Sequence, residues 1–253
     1  MSIGVAVVGA QGRMGRLATR LVEASADLHV HALIGSADPL DGIEGAGVVL
    51  DLTVPAVSPA VVEAAVTRGL PVVVGTSGWT AERLASLGAS LAERPEQGVV
   101  VIPNFSLGSV VATLLATVAA PYFDSIEILE AHHAGKVDSP SGTAIRTAEL
   151  VAAARAEAGP SSAPHSDQRA RGQQVAGIPV HSLRMDGVKA EQTVLFGGTG
   201  ETLRVTHQTV SDASYEAGIL LALRAAPAAR GLVVGLDRLL GLGGGAGSTE
   251  PAA

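Results

Sequence analysis

Through the first hundred residues, short apolar runs rich in valine alternate with segments of helical pattern, and this alternation constrains the fold more than any other feature of the chain. Residues 3–8, 29–34, 48–52, 71–75 and 99–102 read as strands, and residues 12–24, 55–68 and 80–93 read as helices. Each strand run is nearly continuous in apolar residues, as expected of strands covered on both faces. Strand and helix in strict alternation specify a parallel, doubly wound α/β sheet.

Beyond residue 104 the rhythm changes. A helix (107–120), read as buried, leads to a strand (125–132), a loop and a second helix (143–157), followed by a polar stretch (159–177) expected to be mobile. Residues 180–185, 191–196 and 201–210 then read as strands joined by Gly-containing turns at Asp186-Gly187 and Gly197-Gly198. That pattern predicts an antiparallel meander inside a second, α+β domain whose sheet is mixed or antiparallel. A helix over 213–225 is expected to return the chain to the first domain, and 241–253 forms a Gly-rich end expected to fray. The domains so predicted are 1–103 with 212–253, and 104–211.

Composition removes several classes of function. With 47% hydrophobic and 16% charged residues the chain can bury a core along most of its length. No apolar run approaches the roughly 20 residues that span a bilayer, so no membrane association is expected. The net charge of -7 and the 2% aromatic content argue against a nucleic-acid surface. Cysteine is absent, which rules out disulfides and thiolate chemistry. The first strand begins almost at once, without a basic leader, so a cytoplasmic enzyme is expected.

The first strand runs directly into Gly9, Ala10, Gln11, Gly12, Arg13, Met14 and Gly15, a glycine turn opening a helix. Glycines there let the backbone approach a pyrophosphate whose charge meets the free N–H groups of the helix start. At the first strand of an alternating domain this turn predicts a Rossmann-like dinucleotide site, although the alternative of a plain tight β–α turn exists for the pattern alone. The acid that such sites keep at the end of the second strand is missing: Gly35 stands there, with no carboxylate before Asp38. Weaker selection for NAD follows, with Arg13 or Arg16 available to a 2′-phosphate. Two further loops, at Gly75, Thr76 and Ser77 and at Ile102, Pro103, Asn104 and Phe105, leave the carboxyl ends of strands, where open α/β sheets hold ligands.

The richest chemistry lies in residues 127–144, EILEAHHAGKVDSPSGTA. Strand alternation puts Ile126, Ile128, Glu130 and His132 on one face and Glu127, Leu129, Ala131 and His133 on the other, so the histidines should diverge. Lys136 stands out because only it and Lys189 are lysines among seventeen basic residues. An ammonium can be tuned to give up its proton and a guanidinium cannot. Ser141 is a good N-cap, and the N–H groups of Gly142 and Thr143 would face a carboxylate. A metal site built on His132, His133, Glu130 and Asp138 lacks a ligand spacing. A Ser141-His132-Asp138 hydrolase lacks the nucleophile elbow.

These residues resemble the 4-hydroxy-tetrahydrodipicolinate reductase family, formerly called dihydrodipicolinate reductases. The family pattern E-[IV]-x-E-x-H, three residues, K-x-D-x-P-S-G-T-A is filled by Glu127, Ile128, Glu130, His132, Lys136, Asp138, Pro140, Ser141, Gly142, Thr143 and Ala144. The likeness extends through GAQGRMGR, GTSG and PNFSLG to cover essentially the whole chain. It implies a homotetramer that reduces a small cyclic dicarboxylate with NADH or NADPH. It further implies His132 as proton donor or acceptor, Lys136 as proton donor, and His133, Ser141, Gly142 and Thr143 as substrate ligands. The residues Gly9–Met14, Gly75–Ser77 and Ile102–Phe105 would line the cofactor, and no metal is implied. The chain departs from the family at Ala134, Gly135 and Gly35, the last leaving NADH against NADPH open. Two other readings of the same frame are an amino-acid or imine dehydrogenase and a nucleotide sensor without turnover.

Overall fold

The computed structural model describes residues 2–242, so the end predicted to fray lies, from residue 243, outside the described residues. In chain order the elements are β1 (Ile3–Val8), α1 (Arg13–Glu23), β2 (Leu28–Ile34), β3 (Val48–Asp51), α2 (Ser58–Thr67), β4 (Val72–Val74), α3 (Ala81–Ala92) and β5 (Gly98–Val101). There follow α4 (Leu107–Ala119), β6 (Ser125–His132), α5 (Gly142–Ala154), β7 (Gln173–Val175), β8 (Ile178–Arg184), β9 (Ala190–Gly198) and β10 (Glu201–Thr209). The chain then forms α6 (Glu216–Ala225), β11 (Gly231–Val234) and α7 (Leu236–Leu239). Two compact units result: residues up to Ser106 together with those from Tyr215 onward, and Leu107–Ser214. No helix among the described residues is long and apolar enough to cross a membrane.

The first unit carries a six-stranded sheet in the order β11-β5-β4-β3-β1-β2, with every neighbouring pair parallel. Its central strands are built almost entirely of valine, and Val5, Val7, Val48, Val49, Val72, Val73, Val99 and Val100 are fully buried. β-branched side chains stiff at χ1 fit a pleated surface packed on both faces, which is why this composition settles as strand. The chain winds one way from β1 to β2 and the other way from β3 onward, so the switch of direction falls between β1 and β3. Ligands of open α/β sheets sit at that crevice, beside the carboxyl ends of the strands. The edge strand β11 was not expected from the sequence; its four residues pair with β5, a partner more than a hundred positions earlier in the chain. Runs that short acquire strand character from such a distant neighbour and show little of it locally.

The second unit carries a five-stranded mixed sheet in the order β10-β9-β6-β8-β7. The expected meander is corrected here. β9 and β10 do form an antiparallel hairpin, but β8 pairs in parallel with β6, and β6 separates it from β9. The loop holding Asp186 and Gly187 therefore crosses the end of β6 instead of closing a tight hairpin, and Met185 N–H donates to the His132 carbonyl at 3.0 Å on the way. β6 takes the centre because it offers a ladder on both sides and buries Ile126 and Ile128 under α4 and α5.

Two other expectations change. α4 is not a buried helix: Ser109 and Ala116 are its buried residues, while Val111, Leu115 and Val118 are exposed on one stripe. The polar stretch 159–177 contains β7 and is tied down by guanidinium groups. Arg155, itself buried, donates to the carbonyls of Ala120, Phe123, Gly159 and Pro160. Arg171 holds the Glu127 carboxylate, which also meets His181 at 2.7 Å.

In the first unit α6 packs so tightly under the loop after β5 that a Cβ on Gly218 would stand 1.9 Å from the Phe105 carbonyl oxygen. That neighbour is backbone and cannot swing away. Gly218→Ala should therefore cost about 1–3 kcal/mol through overpacking, seen as a thermal midpoint lowered by several degrees; an unchanged midpoint would show that this contact relaxes without cost.

Candidate active site

Three loops leave the carboxyl ends of β1, β4 and β5 on the same edge of the parallel sheet. In the first, Gly9 has φ 85°, and a Cβ there would meet the Leu52 carbonyl at 2.4 Å. Gly15 lies against the same turn, where a Cβ would stand 2.2 Å from the Gly9 carbonyl. In the second, a side chain at Gly75 would collide with the Phe105 ring at 2.4 Å and with Leu52 at 2.7 Å. Leu52 thus lies under both glycines, and the Phe105 ring closes the third loop over the second. Gly9–Met14, Gly75–Ser77 and Ile102–Phe105 are thereby brought to one continuous edge, with Thr76, Ile102 and Phe105 buried and Gln11, Gly12 and Arg13 exposed.

The turn fits a pyrophosphate. Gly12 caps α1 with no side-chain hydrogen bond, and the first turn of that helix contains no acidic residue. Its N–H groups and the positive end of the helix dipole therefore face outward. Gly9 and Ala10 N–H groups donate to the Ile34 carbonyl at 2.8 and 3.2 Å, which fastens the turn to the end of β2. Arg16, named from the sequence as available to a phosphate, donates to the Gln11 carbonyl. A fully buried acid to which the sequence assigned no role, Asp51, holds the neighbouring loop by accepting from Thr53 N–H at 3.0 Å, Thr53 Oγ1 at 2.6 Å and Ser58 Oγ. Trp79 Nε1 donates onward to Ser58 Oγ at 2.9 Å.

In the second unit the polar residues gather around Glu130, whose side chain is fully buried on the helix-covered face of β6. Arg184 forks onto both of its oxygens, each at 2.9 Å. Ser141 N–H reaches Oε1 at 3.2 Å, and His132 Nδ1 lies 2.6 Å from Oε2. Burial alone would raise the Glu130 carboxyl, but the hydrogen bonds from Arg184 and His132 hold it below its ordinary range. His132 is also lowered, but for a different reason: burial pushes its imidazole below the usual value, Glu130 opposes the shift, and the positive charges of Lys136 and Arg184 add to it. The lowered value favours the neutral ring, and the Glu130 carboxylate, an acceptor only, selects the tautomer with its proton on Nδ1 and its lone pair on Nε2.

Lys136 Nζ sits between the two oxygens of Asp138 at 2.7 and 2.8 Å, and Arg184 reaches the Asp138 carbonyl at 2.6 Å. Ser141 caps α5, its hydroxyl accepting from Ala144 N–H at 3.2 Å, and the helix opens with no acidic residue in its first turn. The backbone at Gly142 borders open space, with no atom within 4 Å of a Cβ built there. The strand ends at His132, so His133 belongs to the loop, exposed, and the two histidines part because the strand stops as well as by alternation. Gln192 Oε1 and Arg184 Nε are buried without partners among the described residues. No group of histidines and acids among those residues is arranged to hold a metal ion. Sequence reasoning gave Glu130 a place in the shared pattern and in the metal reading, not as the partner of His132, and it missed Arg184. The available signal was a carboxylate on the apolar face of a strand, which needs a buried partner.

A glycine turn under a doubly wound sheet and a second unit built around a histidine, a lysine and a capped helix start define an NAD(P)H-dependent oxidoreductase. Residues 3–105 match the family model for dihydrodipicolinate reductase, N-terminus, and residues 106–240 match that for its C-terminus. The chain belongs to the dihydrodipicolinate reductase family. It is 59% identical to the 4-hydroxy-tetrahydrodipicolinate reductase of Clavibacter michiganensis subsp. michiganensis over 96% of this chain and 88% of that one. It is 47% identical to the enzyme of the same name from Streptomyces griseus subsp. griseus, over 94% of this chain and 98% of the other. Among solved structures it is similar to the dipicolinate-bound dihydrodipicolinate reductase of Paenisporosarcina sp. TG-14, with a TM-score of 0.79 and 29% identity over 94% of this chain and 99% of that one.

The two shifts act on stability in the same sense. Groups whose folded-state pKa lies below the ordinary 6.5 of His132 and 4.5 of Glu130 take up protons more readily when unfolded. Their contribution is complete above 6.5 and declines as pH falls, through His132 first and Glu130 afterwards. Thermal melts between about pH 7 and about pH 5 should show wild type losing stability faster than His132→Gln; equal slopes would place the titration elsewhere.

Proposed function

We propose that this chain reduces 4-hydroxy-tetrahydrodipicolinate to tetrahydrodipicolinate with NADH or NADPH, a step of lysine and diaminopimelate biosynthesis. The observation that carries the reading is the sharing of one buried carboxylate, Glu130, by His132 and by the turn that starts α5, with Lys136 close enough for its charge to act on the imidazole. Proton-handling groups and an anion-binding helix start are thereby held in register, as a ring with two carboxylates requires.

The reaction expels one hydroxyl as water, adds hydride to the ring carbon that lost it, and takes up one net proton. Reduced nicotinamide, when bound, supplies the hydride. Lys136 donates the proton: its ammonium is positioned by Asp138, and a guanidinium there could not release one. His132, neutral and oriented through Nδ1, offers Nε2 to accept a proton and return it. The opening N–H groups of α5 at Gly142 and Thr143, with Ser141 and His133, hold the carboxylates. Gly9, Ala10, Gln11, Gly12, Arg13 and Met14 hold the pyrophosphate, and the loops at Gly75–Ser77 and Ile102–Phe105 hold the remainder of the dinucleotide.

Lys136→Ala should lower kcat by orders of magnitude while changing NADH affinity little, and His132→Gln should lose about 10²–10⁴-fold in rate. The assay follows nicotinamide absorbance after substrate is generated enzymatically from pyruvate and aspartate semialdehyde. Near-wild-type turnover of Lys136→Ala would remove the proposed donor. Turnover of an open-chain keto or imino acid instead would favour an amino-acid dehydrogenase, and no turnover with intact nucleotide binding would favour a sensor.

The assembly we propose is a homotetramer working in the cytoplasm. Val111, Leu115 and Val118 on α4, Tyr122 beyond it and Leu183 on β8 are apolar or aromatic side chains exposed in the isolated chain. Apolar faces of that kind mark association surfaces. Sedimentation equilibrium should return the mass of a tetramer, and a monomer at micromolar concentration would overturn this.

A further inference from the structure

We propose that Asp38 accepts the adenine-ribose hydroxyls in place of the missing acid at position 35, and so makes NADH the preferred cofactor. The proposal rests on the reading that the β1–α1 turn binds a dinucleotide. In that arrangement the acid at the end of β2 receives both ribose hydroxyls, and its charge repels a 2′-phosphate. Position 35 is glycine, yet the space a side chain would fill there is occupied. A Cβ on Gly35 would lie 2.8 Å from Gln11 Nε2 and 3.2 Å from Asp38 Oδ2.

Asp38 is turned back onto the end of β2. Gly35 N–H donates to Asp38 Oδ2 at 2.8 Å, and Asp38 N–H returns to the Gly35 carbonyl at 3.4 Å. The carboxylate is thereby presented from three residues further along the chain, where the extended backbone after a strand would ordinarily have carried it away. The same end of β2 is fastened to the pyrophosphate turn through the Ile34 carbonyl, so both features belong to one rigid corner. Asp38 is exposed and only its Oδ2 is taken up by the Gly35 N–H, and a carboxylate with two oxygens keeps acceptor capacity for a diol. A 2′-phosphate brings negative charge and acceptors alone, and would need cations. Arg16, one of the two arginines that could meet it, donates to the Gln11 carbonyl.

The test titrates NADH and NADPH into wild type and into Asp38→Asn, reading nicotinamide fluorescence for the dissociation constants. Asn keeps an oxygen for the Gly35 N–H and removes the charge, so the turn survives the substitution. Wild type should bind NADH at least about tenfold more tightly than NADPH, the scale of one charge-assisted hydrogen bond. Asp38→Asn should bring the ratio close to one, NADH weakening and NADPH tightening together. A wild-type ratio near one or in favour of NADPH, or a ratio that the substitution leaves unchanged, overturns the role of Asp38 alone. Failure of wild type to bind either dinucleotide would instead overturn the reading of the glycine turn, and this one with it.

Discussion

A carboxylate without access to water, Glu130, is the constraint on which the second unit depends. An ion of that size loses several kcal/mol of solvation on burial, and only well-aligned partners return it. Arg184 from β8, His132 from β6 and the Ser141 N–H from the turn before α5 supply them, so a strand, the turn that follows it and a strand 54 residues further on meet at one group. Removal of any partner leaves charge stranded, which makes their mutual placement nearly all-or-none. The orientation of the imidazole and of the helix start is therefore inherited from a folding requirement and is already in place before a substrate arrives.

The first unit solves a different problem, the close approach of backbone to a charged ligand. There the decisive contacts are steric: the Leu52 carbonyl beneath Gly9 and the Leu52 and Phe105 side chains against Gly75 leave no volume for a β-carbon. Asp51, buried and satisfied by Thr53 and Ser58, fixes the loop that contains Leu52. One buried carboxylate in each unit, Glu130 and Asp51, thus fixes the backbone and side chains around it.

The parts of the fold legible in the sequence were those with local causes. Valine runs separated by helical pattern announced the parallel sheet, Ser141 announced the start of α5, and the glycines announced the tight turn between β1 and α1. What escaped depended on partners far away in the chain. The four residues of β11 become a strand only against β5, and the pairing of β8 with β6 could not be read from a Gly turn that equally suits a hairpin. The stretch 159–177 looked loose because its anchors, Arg155 and Arg171, bond backbone carbonyls and a carboxylate on other elements. The helix α4, apolar but for Ser109, Thr113 and Thr117, gave no clue as to which of its apolar residues would stay uncovered. In the site, His132 and Lys136 were visible as residue types, whereas the dependence of His132 on Glu130 and Arg184 required the register of the mixed sheet.

The pairing of β11 with β5 also bears on how the polypeptide matures during synthesis. The second unit is a continuous insertion that holds its whole sheet between residues 107 and 214, so it is free to finish first. The nucleotide-binding sheet keeps an open edge at β5 until residue 234 has left the ribosome. Until then β5 offers an unsatisfied row of amides and carbonyls, and β11, the last strand among the described residues, is the one that seals it.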